Sequence, residues 1–286
     1  MIRLKFSITL DYEIAPPHAD FVFTIHAAET PHQKVATEEL SISSGAFPNL
    51  YTDPLTGTRH MRLSAATGPL RVFYAATVEI DHHVVPETAG IGEVPVAELP
   101  VEVMPYVLPS RYCESDRLYR LANANFGNLP PGYARVKAIR DWVSTHVIFA
   151  SNTSTASTSA VDVFVNRAGV CRDFAHVMIA LCRALNIPAR FATGIDYGAD
   201  PALGPQDFHA YVEAYLGHRW YIFDPSNVAM PMGLVRMATG RDAADVAFAM
   251  IFGTVRSAPP VVTIEAESGE RFVLPQHCAH ALSTAV

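Results

Sequence analysis

A run of spaced prolines divides this chain into two parts. Prolines stand at positions 86, 95, 100, 105 and 109, and each one fixes φ and removes a backbone N–H donor. No continuous helix or central strand can pass through such a stretch. The sequence therefore predicts a connection between two separately organised units.

The first part, residues 1–105, has the pattern of an N-terminal all-β domain followed by its linker. Short β-branched or alternating segments predict strands at 2–10, 21–25, 33–42, 58–63 and 70–80. Turn residues separate these segments, as in the DPLTG motif at 53–57.

The second part, residues 106–286, mixes helical and strand patterns. Helical spacing covers 115–125 and 132–146, and a third helix begins at Cys171 and carries an apolar stripe to Leu185. Strands are predicted at 189–195, 208–216, 219–223, 261–265 and 271–274.

Composition narrows the class of protein. Half of the 286 residues are hydrophobic and 17% are charged, which is enough apolar material for a core. The net charge is −7 and no basic run is present, so nucleic acid is not an expected partner. The first ten residues carry charges within their apolar stretch, and no later apolar run is long enough to span a bilayer, so neither secretion nor membrane insertion is expected.

The cysteines point to a reactive thiol rather than to a disulfide or zinc site. The four of them, at positions 113, 171, 182 and 278, show neither CxxC spacing nor clustering. We therefore expect the reducing cytoplasm as the compartment. Cys171 lies in the first turn of a predicted helix, where unpaired backbone N–H groups and the helix dipole favour a thiolate. The other reading of Cys171 is a buried helix cysteine, which is the expected role of Cys182 on the apolar stripe.

Twelve histidines compete for the role of a base beside the thiol. If residues 217–218 form a two-residue turn, position 216 pairs with 219, Tyr211 opposes Asp224, and His209 opposes Ser226. His209 and Asp224 are then diagonal neighbours on one face of the hairpin, roughly 7–8 Å apart at the backbone. A base and its orienting carboxylate require this geometry. Taken singly, each residue also fits a plainer role, as a surface histidine and a turn-capping aspartate.

Three segments, taken in order, resemble the signature of the transglutaminase-like superfamily. They are GVCRDFAH at 169–176, FHAYVE at 208–213 and WYIFDPS at 220–226. The likeness extends to LCRALNIPAR at 181–190 and GRDAADV at 240–246. Within the superfamily the chain is most similar to the bacterial branch often described as cysteine proteases. The first eighty or so residues are similar to the β domain of that branch.

This resemblance implies an α+β fold, in which the N-terminal all-β domain precedes a papain-like/transglutaminase-like core and the helix of the catalytic cysteine packs on an antiparallel sheet. It implies Cys171 as the nucleophile, His209 as the general base and acid, and Asp224 as the residue that orients the imidazole. Tyr211 stands where the family commonly has Trp, and Ser226 where it commonly has Thr. Both departures leave the triad intact and bear on the choice of substrate.

Other polar residues have plainer expected roles. Asp173 is expected to favour the helix dipole, and His176 to be a satisfied buried histidine. Glu213 shares the face of His209 and is expected to meet solvent. A local charged network is expected from Arg241, Asp242 and Asp245. No metal site is expected from the histidines near 82 and 277–280, because they offer too few ligands.

The predicted reaction is acyl transfer through a thioester on Cys171. Water as the second nucleophile makes the protein a peptidase or amidase, and an amine makes it a protein-glutamine transglutaminase. Calcium-binding acidic clusters are absent from the sequence, which favours hydrolysis of a peptide, protein or small amide, with no cofactor. A non-catalytic binding module that retains the fold is the alternative from another class. Arylamine acetyl transfer is disfavoured because the arginine-rich motif expected around its cysteine does not match. The oligomeric state is left open.

Overall fold

A computed structural model describes residues 1–43, 45–199 and 206–285. The strands are β1 (Ile2–Phe23), β2 (Gln33–Ile42), β3 (Asn49–Thr52), β4 (Arg59–Ile80), β5 (His83–Val85), β6 (Ile148–Phe149), β7 (Ala168–Gly169), β8 (Ala189–Asp196), β9 (His209–Leu216), β10 (Arg219–Phe223), β11 (Leu234–Gly240), β12 (Ala249–Phe252), β13 (Val255–Ser257), β14 (Val261–Glu267) and β15 (Ala281–Ser283). The α-helices are α1 (Ser115–Phe126), α2 (Tyr133–His146), α3 (Ala160–Asn166) and α4 (Cys171–Ala184). The proline-spaced connection holds short 3₁₀ turns at Thr88–Gly90, Val96–Glu98 and Met104–Tyr106.

The first sheet is built on two long antiparallel strands, β1 and β4. Its strand order is β12-β1-β4-β2, with β13 and β14 also paired to β1 and β3 paired to β4. Each long strand joins two segments that the sequence predicts as separate strands, because pairing resumes beyond a register shift between Ile14 and His18. Alternation of apolar side chains is lost at that irregularity, which explains the gap in the prediction. The predicted strand at 33–42 coincides with β2.

The C-terminal segment returns to this first sheet. Strands β12, β13 and β14 pair with β1 and cover an edge whose backbone groups would otherwise lack partners. The sequence-based division at residue 105 places these strands with the second unit, whereas their hydrogen bonds are to the first. The predicted strand at 271–274 is wrong, because the chain forms a tight turn there in which the Phe272 N–H donates to the Gly269 carbonyl.

Helix α4 is the centre of the second unit. It packs against a sheet of order β10-β9-β8-β11, and helices α1, α2 and α3 pack around its other sides. Every residue from Asp173 to Ala184 is therefore buried, whereas the sequence predicts burial of one apolar face of the helix. Alternate residues of β9, namely Ala210, Val212, Ala214 and Leu216, join the same apolar cluster as the helix. This is the α+β core that the sequence predicts, although α3 and β11 were not predicted.

The two units share their interior. Ile195 of β8 and Val235 and Met237 of β11 belong to the apolar cluster of the first sheet. The sheet that carries the candidate site therefore lies between α4 and the N-terminal β domain.

Within the described residues, no helix is both long enough and apolar enough to cross a bilayer.

The expectation that Glu213 meets solvent is wrong. Its side chain is fully buried and accepts hydrogen bonds from Arg190 Nε at 2.7 Å and from Arg236 Nη2. Strand β11 lies beside β8 and brings Arg236 to this face of the sheet. A buried carboxylate between two guanidinium groups thus links three strands of the core.

Candidate active site

The start of α4 is held by a capping carboxylate. Asp173 Oδ2 accepts the Val170 N–H at 2.8 Å, and Asp173 Oδ1 accepts the Ser154 hydroxyl at 3.0 Å. Asp173 is fully buried, so this carboxylate is fixed in the first helical turn, as its expected structural role requires. Cys171 consequently lies at a defined helix N-terminus with its side chain partly exposed.

The hairpin of β9 and β10 has the predicted register. Gly217 and His218 both have positive φ, 52° and 61°, as a two-residue hairpin turn requires. The paired positions run from Arg219↔Leu216 to Phe223↔Val212, and the next residue of the second strand is Asp224. As a result the Nε2 atom of His209 and the Oδ1 atom of Asp224 lie 3.5 Å apart.

Asp224 is fixed by three further donors. Its Oδ1 accepts the Ser226 N–H at 2.9 Å and the Ser226 hydroxyl at 2.6 Å, and its Oδ2 accepts the Ala229 N–H at 3.2 Å. Burial alone would raise the pKa of this carboxyl, but the charge of His209 and these hydrogen bonds hold it below its usual value. Asp224 is therefore an ionised carboxylate in a set orientation.

His209 is buried and carries a proton. Desolvation acts to lower the pKa of its imidazole, whereas Asp224 and the adjacent Cys171 raise it, and the net result is a pKa well above the ordinary value. The structure therefore brings all three residues of the predicted triad together: Cys171, His209 and Asp224. An imidazolium between a thiol sulfur and a carboxylate is the arrangement that can support a thiolate.

A second buried carboxylate, Asp196, lies on the other side of the imidazole and was not predicted. Its Oδ2 is 3.6 Å from Nδ1 of His209. Burial raises the pKa of Asp196 to about 6, even though the charge of His209 opposes that rise. The available signal was strand parity, because Gly194 pairs with His209 and residue 196 then falls on the same face as the histidine. Predicting its position required knowledge that β8 pairs with β9, and the sequence gives no sign of that pairing because no short turn connects the two strands.

A largely apolar cleft opens beside the sulfur. Its volume is about 230 Å³, and it is lined by Cys171, Arg172, Phe191, Thr193, Phe208, His209, Ala210, Ala243, Val246, Ala247 and Phe248. Phe208 and Phe248 stack with their ring centroids 4.5 Å apart. The Phe248 carbonyl accepts the Thr24 N–H of the β domain at 2.9 Å. One wall of the cleft is therefore anchored to the N-terminal domain.

The remaining polar candidates have structural contacts. His176 is fully buried, accepts the Ala243 N–H at 3.2 Å through Nε2 and stacks on Tyr112. Its Nδ1 is buried without a hydrogen-bond partner among the described residues, so the expectation of a satisfied histidine holds for one ring nitrogen and fails for the other. Arg241 pairs with Asp245 at 2.9 Å, whereas Asp242 instead accepts the Tyr112 N–H. Of the expected network, Arg241 and Asp245 therefore form a pair, and Asp242 binds the backbone of Tyr112 instead. No group of three or more potential metal ligands occurs in the described part of the chain.

The other cysteines differ from Cys171 in their surroundings. Cys113 and Cys182 are buried, and burial raises the pKa of the Cys113 thiol to about 12 and that of Cys182 further. Cys278 is exposed and lines a different pocket, which it shares with Asp224 and not with His209. Among the four, Cys171 is the thiol that shares a cleft with His209.

Comparison with known proteins gives the family. Residues 120–225 match the family model of the transglutaminase-like superfamily, and residues 2–102 match that of the bacterial transglutaminase N-terminal domain. The crystal structure of a candidate cysteine protease from Cytophaga hutchinsonii is 37% identical, with a TM-score of 0.90, and the match covers 99% of this chain and 97% of that one.

Curated relatives match a smaller region. An uncharacterized protein from Mycobacterium leprae is 30% identical over 125 residues, which cover 42% of this chain and 44% of the relative. An uncharacterized protein from Mycobacterium tuberculosis is also 30% identical over 125 residues, covering 39% and 40%. The chain thus spans less than half the length of these curated relatives. The full-length match and both family models show that this chain belongs to the transglutaminase-like superfamily, with a bacterial transglutaminase N-terminal domain before its core.

Proposed function

We propose that the protein is a thiol-dependent acyl-transfer enzyme that hydrolyses amide bonds, with Cys171 as nucleophile, His209 as general acid and base, and Asp224 as the residue that orients the imidazole. The observation that carries this proposal is the buried imidazole of His209, which contacts both Cys171 and the fixed carboxylate of Asp224. Such an arrangement activates a thiol and supplies a proton donor in the same step.

The proposed reaction has two halves. In the first, the Cys171 thiolate attacks the amide carbonyl carbon, the C–N bond breaks, and the imidazolium of His209 gives its proton to the departing amine. The Cys171 N–H, at the N-terminus of α4, is the candidate donor to the oxyanion. In the second half, neutral His209 takes a proton from water as the water oxygen attacks the thioester carbonyl carbon, the C–S bond breaks, the acid is released, and the thiolate of Cys171 and the imidazolium of His209 are restored.

Two considerations favour water over an amine as the second nucleophile. Cys171 is partly exposed in an open cleft, so water has access to a thioester there. The C. hutchinsonii protein, whose name describes a candidate cysteine protease, matches this chain over nearly its full length. The alternative outcome, transfer to a lysine or another amine, uses the same first half-reaction. We therefore propose a peptide, protein or small amide as substrate.

Competitive alkylation tests whether the thiol is activated. Wild-type protein is treated with limiting iodoacetamide near neutral pH, and each cysteine is quantified by peptide mass spectrometry. We expect Cys171 to react at least about tenfold faster than Cys278, which is more exposed, and His209→Ala to abolish that preference. Equal rates at Cys171 and Cys278 would support a non-catalytic binding module instead.

Substrate trapping separates hydrolysis from amine transfer. A peptide pool is incubated with wild-type protein or with Cys171→Ser as the matched inactive control, with and without a dansylated primary amine. New peptide termini that depend on Cys171 establish hydrolysis. Dansylated products without new termini would establish a transglutaminase, and the absence of either product would count against an enzyme.

A further inference from the structure

The imidazole of His209 faces more acceptors than it has N–H groups. Its Nε2 is 3.5 Å from Asp224 Oδ1, its Nδ1 is 3.6 Å from Asp196 Oδ2, and the Cys171 sulfur lies close to the ring as well. A protonated imidazole offers only two N–H donors. Asp196 therefore competes with Asp224 and the Cys171 sulfur for the two N–H donors of the ring.

Among the described residues, the cation that balances Asp196 is His209. Asp196 is 3% exposed, and within the described residues its ion-pair contacts are limited to His209. The charged and titratable groups that face it are His209 and Tyr211 on β9 and Asp224 after β10. Its Oδ1 atom is buried without a hydrogen-bond partner in the part of the chain that the structure describes. Burial of such a carboxylate is costly, so its placement calls for a role other than stability.

Tyr211 completes this environment. Its ring stands edge-on to that of His209, with centroids 4.6 Å apart, and its buried hydroxyl lowers the pKa of Asp196. Tyr211 itself has a pKa well above the ordinary value, because of burial and the nearby carboxylates, so it is a neutral phenol. A neutral O–H beside Asp196 favours the ionised carboxylate.

We propose that Asp196 is a positioning residue for His209: its ionised carboxylate acts as the second counter-charge of the imidazolium, fixes the ring from the side opposite Asp224, and keeps it protonated to higher pH. The proposal rests on the proposed function only in taking His209 as the acid and base. Two flanking carboxylates stabilise the imidazolium more than one does. When Asp196 takes up a proton, around pH 6, its carboxyl becomes neutral and Asp224 remains as the counter-charge of the imidazolium.

Direct titration of the imidazole tests this role. Protein labelled with ¹³C at histidine Cε1 is titrated by NMR, and the His209 signal is assigned as the one missing from His209→Asn. We expect Asp196→Asn to lower the pKa of His209 by about one pH unit or more, as loss of an adjacent opposite charge should. Asp207→Asn is the matched control, since the Asp207 carboxylate accepts the Phe208 N–H instead, and it should leave that pKa unchanged.

An unchanged or raised pKa of His209 in Asp196→Asn would overturn the proposal. If that variant does not fold, the wild-type titration decides. The His209 signal should then show an extra inflection near pH 6 from Asp196, and a single step from the imidazole alone would overturn the role. Neither readout needs catalysis. Failure of the alkylation test for Cys171 therefore rejects the proposed function while this inference stands, and the reverse also holds.

Discussion

The side chain of Asp173 folds back over Gly169, two residues before Cys171. A Cβ atom added to Gly169 would lie 2.6 Å from the Cβ of Asp173. The same carboxylate caps the helix by accepting the Val170 N–H at 2.8 Å. The position of the Cys171 backbone N–H thus depends on a close approach that only glycine permits. The requirement for glycine at position 169 is therefore steric.

Gly169→Ala should therefore damage the thiol site. We expect a loss of about 1–3 kcal/mol in the free energy of unfolding, because the added methyl group collides with a fully buried side chain, together with slower alkylation of Cys171. Chemical denaturation and mass-spectrometric alkylation rates measure the two effects. Gly90→Ala is the control, since a Cβ there meets nothing within 4 Å. Equal stability of both variants would contradict the steric account.

Asp224→Asn should retain the fold and lose most activity. Both Asp224 oxygens accept hydrogen bonds, so an amide must turn its NH₂ group toward a donor and cannot orient the imidazolium. We expect kcat/KM for peptide hydrolysis to fall by about 10²–10⁴-fold. Asp141→Asn, at an exposed helix position, should have wild-type activity. A loss below threefold for Asp224→Asn would contradict its assigned role.

Removing the Asp196 charge should stabilise the protein as pH rises. The pKa of Asp196 is raised from 3.8 to about 6 in the folded state, so the folded state holds that proton more tightly and wild-type stability falls between pH 4 and 6. Asp196→Asn lacks this loss. Between pH 4 and pH 6, the free energy of unfolding of the variant relative to wild type should therefore rise by up to about 3 kcal/mol. Thermal melts at pH 4 and pH 6 measure the difference, and a gain independent of pH would contradict the raised pKa.

Glu213→Gln should be strongly destabilising. The fully buried carboxylate balances Arg190 and Arg236, and removal of one partner from a buried ion pair costs about 3–5 kcal/mol. The exposed i,i+4 pair of Lys137 and Asp141 gives the comparison. Lys137→Gln should change the free energy of unfolding by at most about 0.5 kcal/mol. Similar effects for the two substitutions would show that the buried pair is not maintained in solution.

Phe248→Ala should change substrate choice more than catalysis itself. Phe248 forms a wall of the cleft beside Cys171 and stacks on Phe208. We expect kcat/KM for substrates with a bulky apolar acyl side chain to fall about 10–100-fold, and that for a glycyl substrate to change much less. Phe252→Ala is the matched control, because Phe252 follows on the same segment and is 61% exposed. Equal losses for both substrates would argue against a side-chain pocket.

Local sequence patterns were enough to locate most of the triad. The apolar stripe of α4 placed Cys171 at a helix start, and a two-residue turn at 217–218 left one register for its hairpin, so His209 and Asp224 had to meet. Such features are readable because they depend on neighbours in sequence. The meeting of Cys171 with that hairpin came from the family resemblance.

The sequence alone therefore specifies the longer elements of the fold and the short-range pairing within the hairpin. Long-range packing, in contrast, brings Asp196 against the imidazole, buries Glu213 between arginines, and closes the first sheet with β12–β14. Periodicity reports which face of an element is apolar, but it does not report which distant element covers that face. The burial and charge of a polar side chain follow from that choice of neighbour, because both depend on groups far away along the chain.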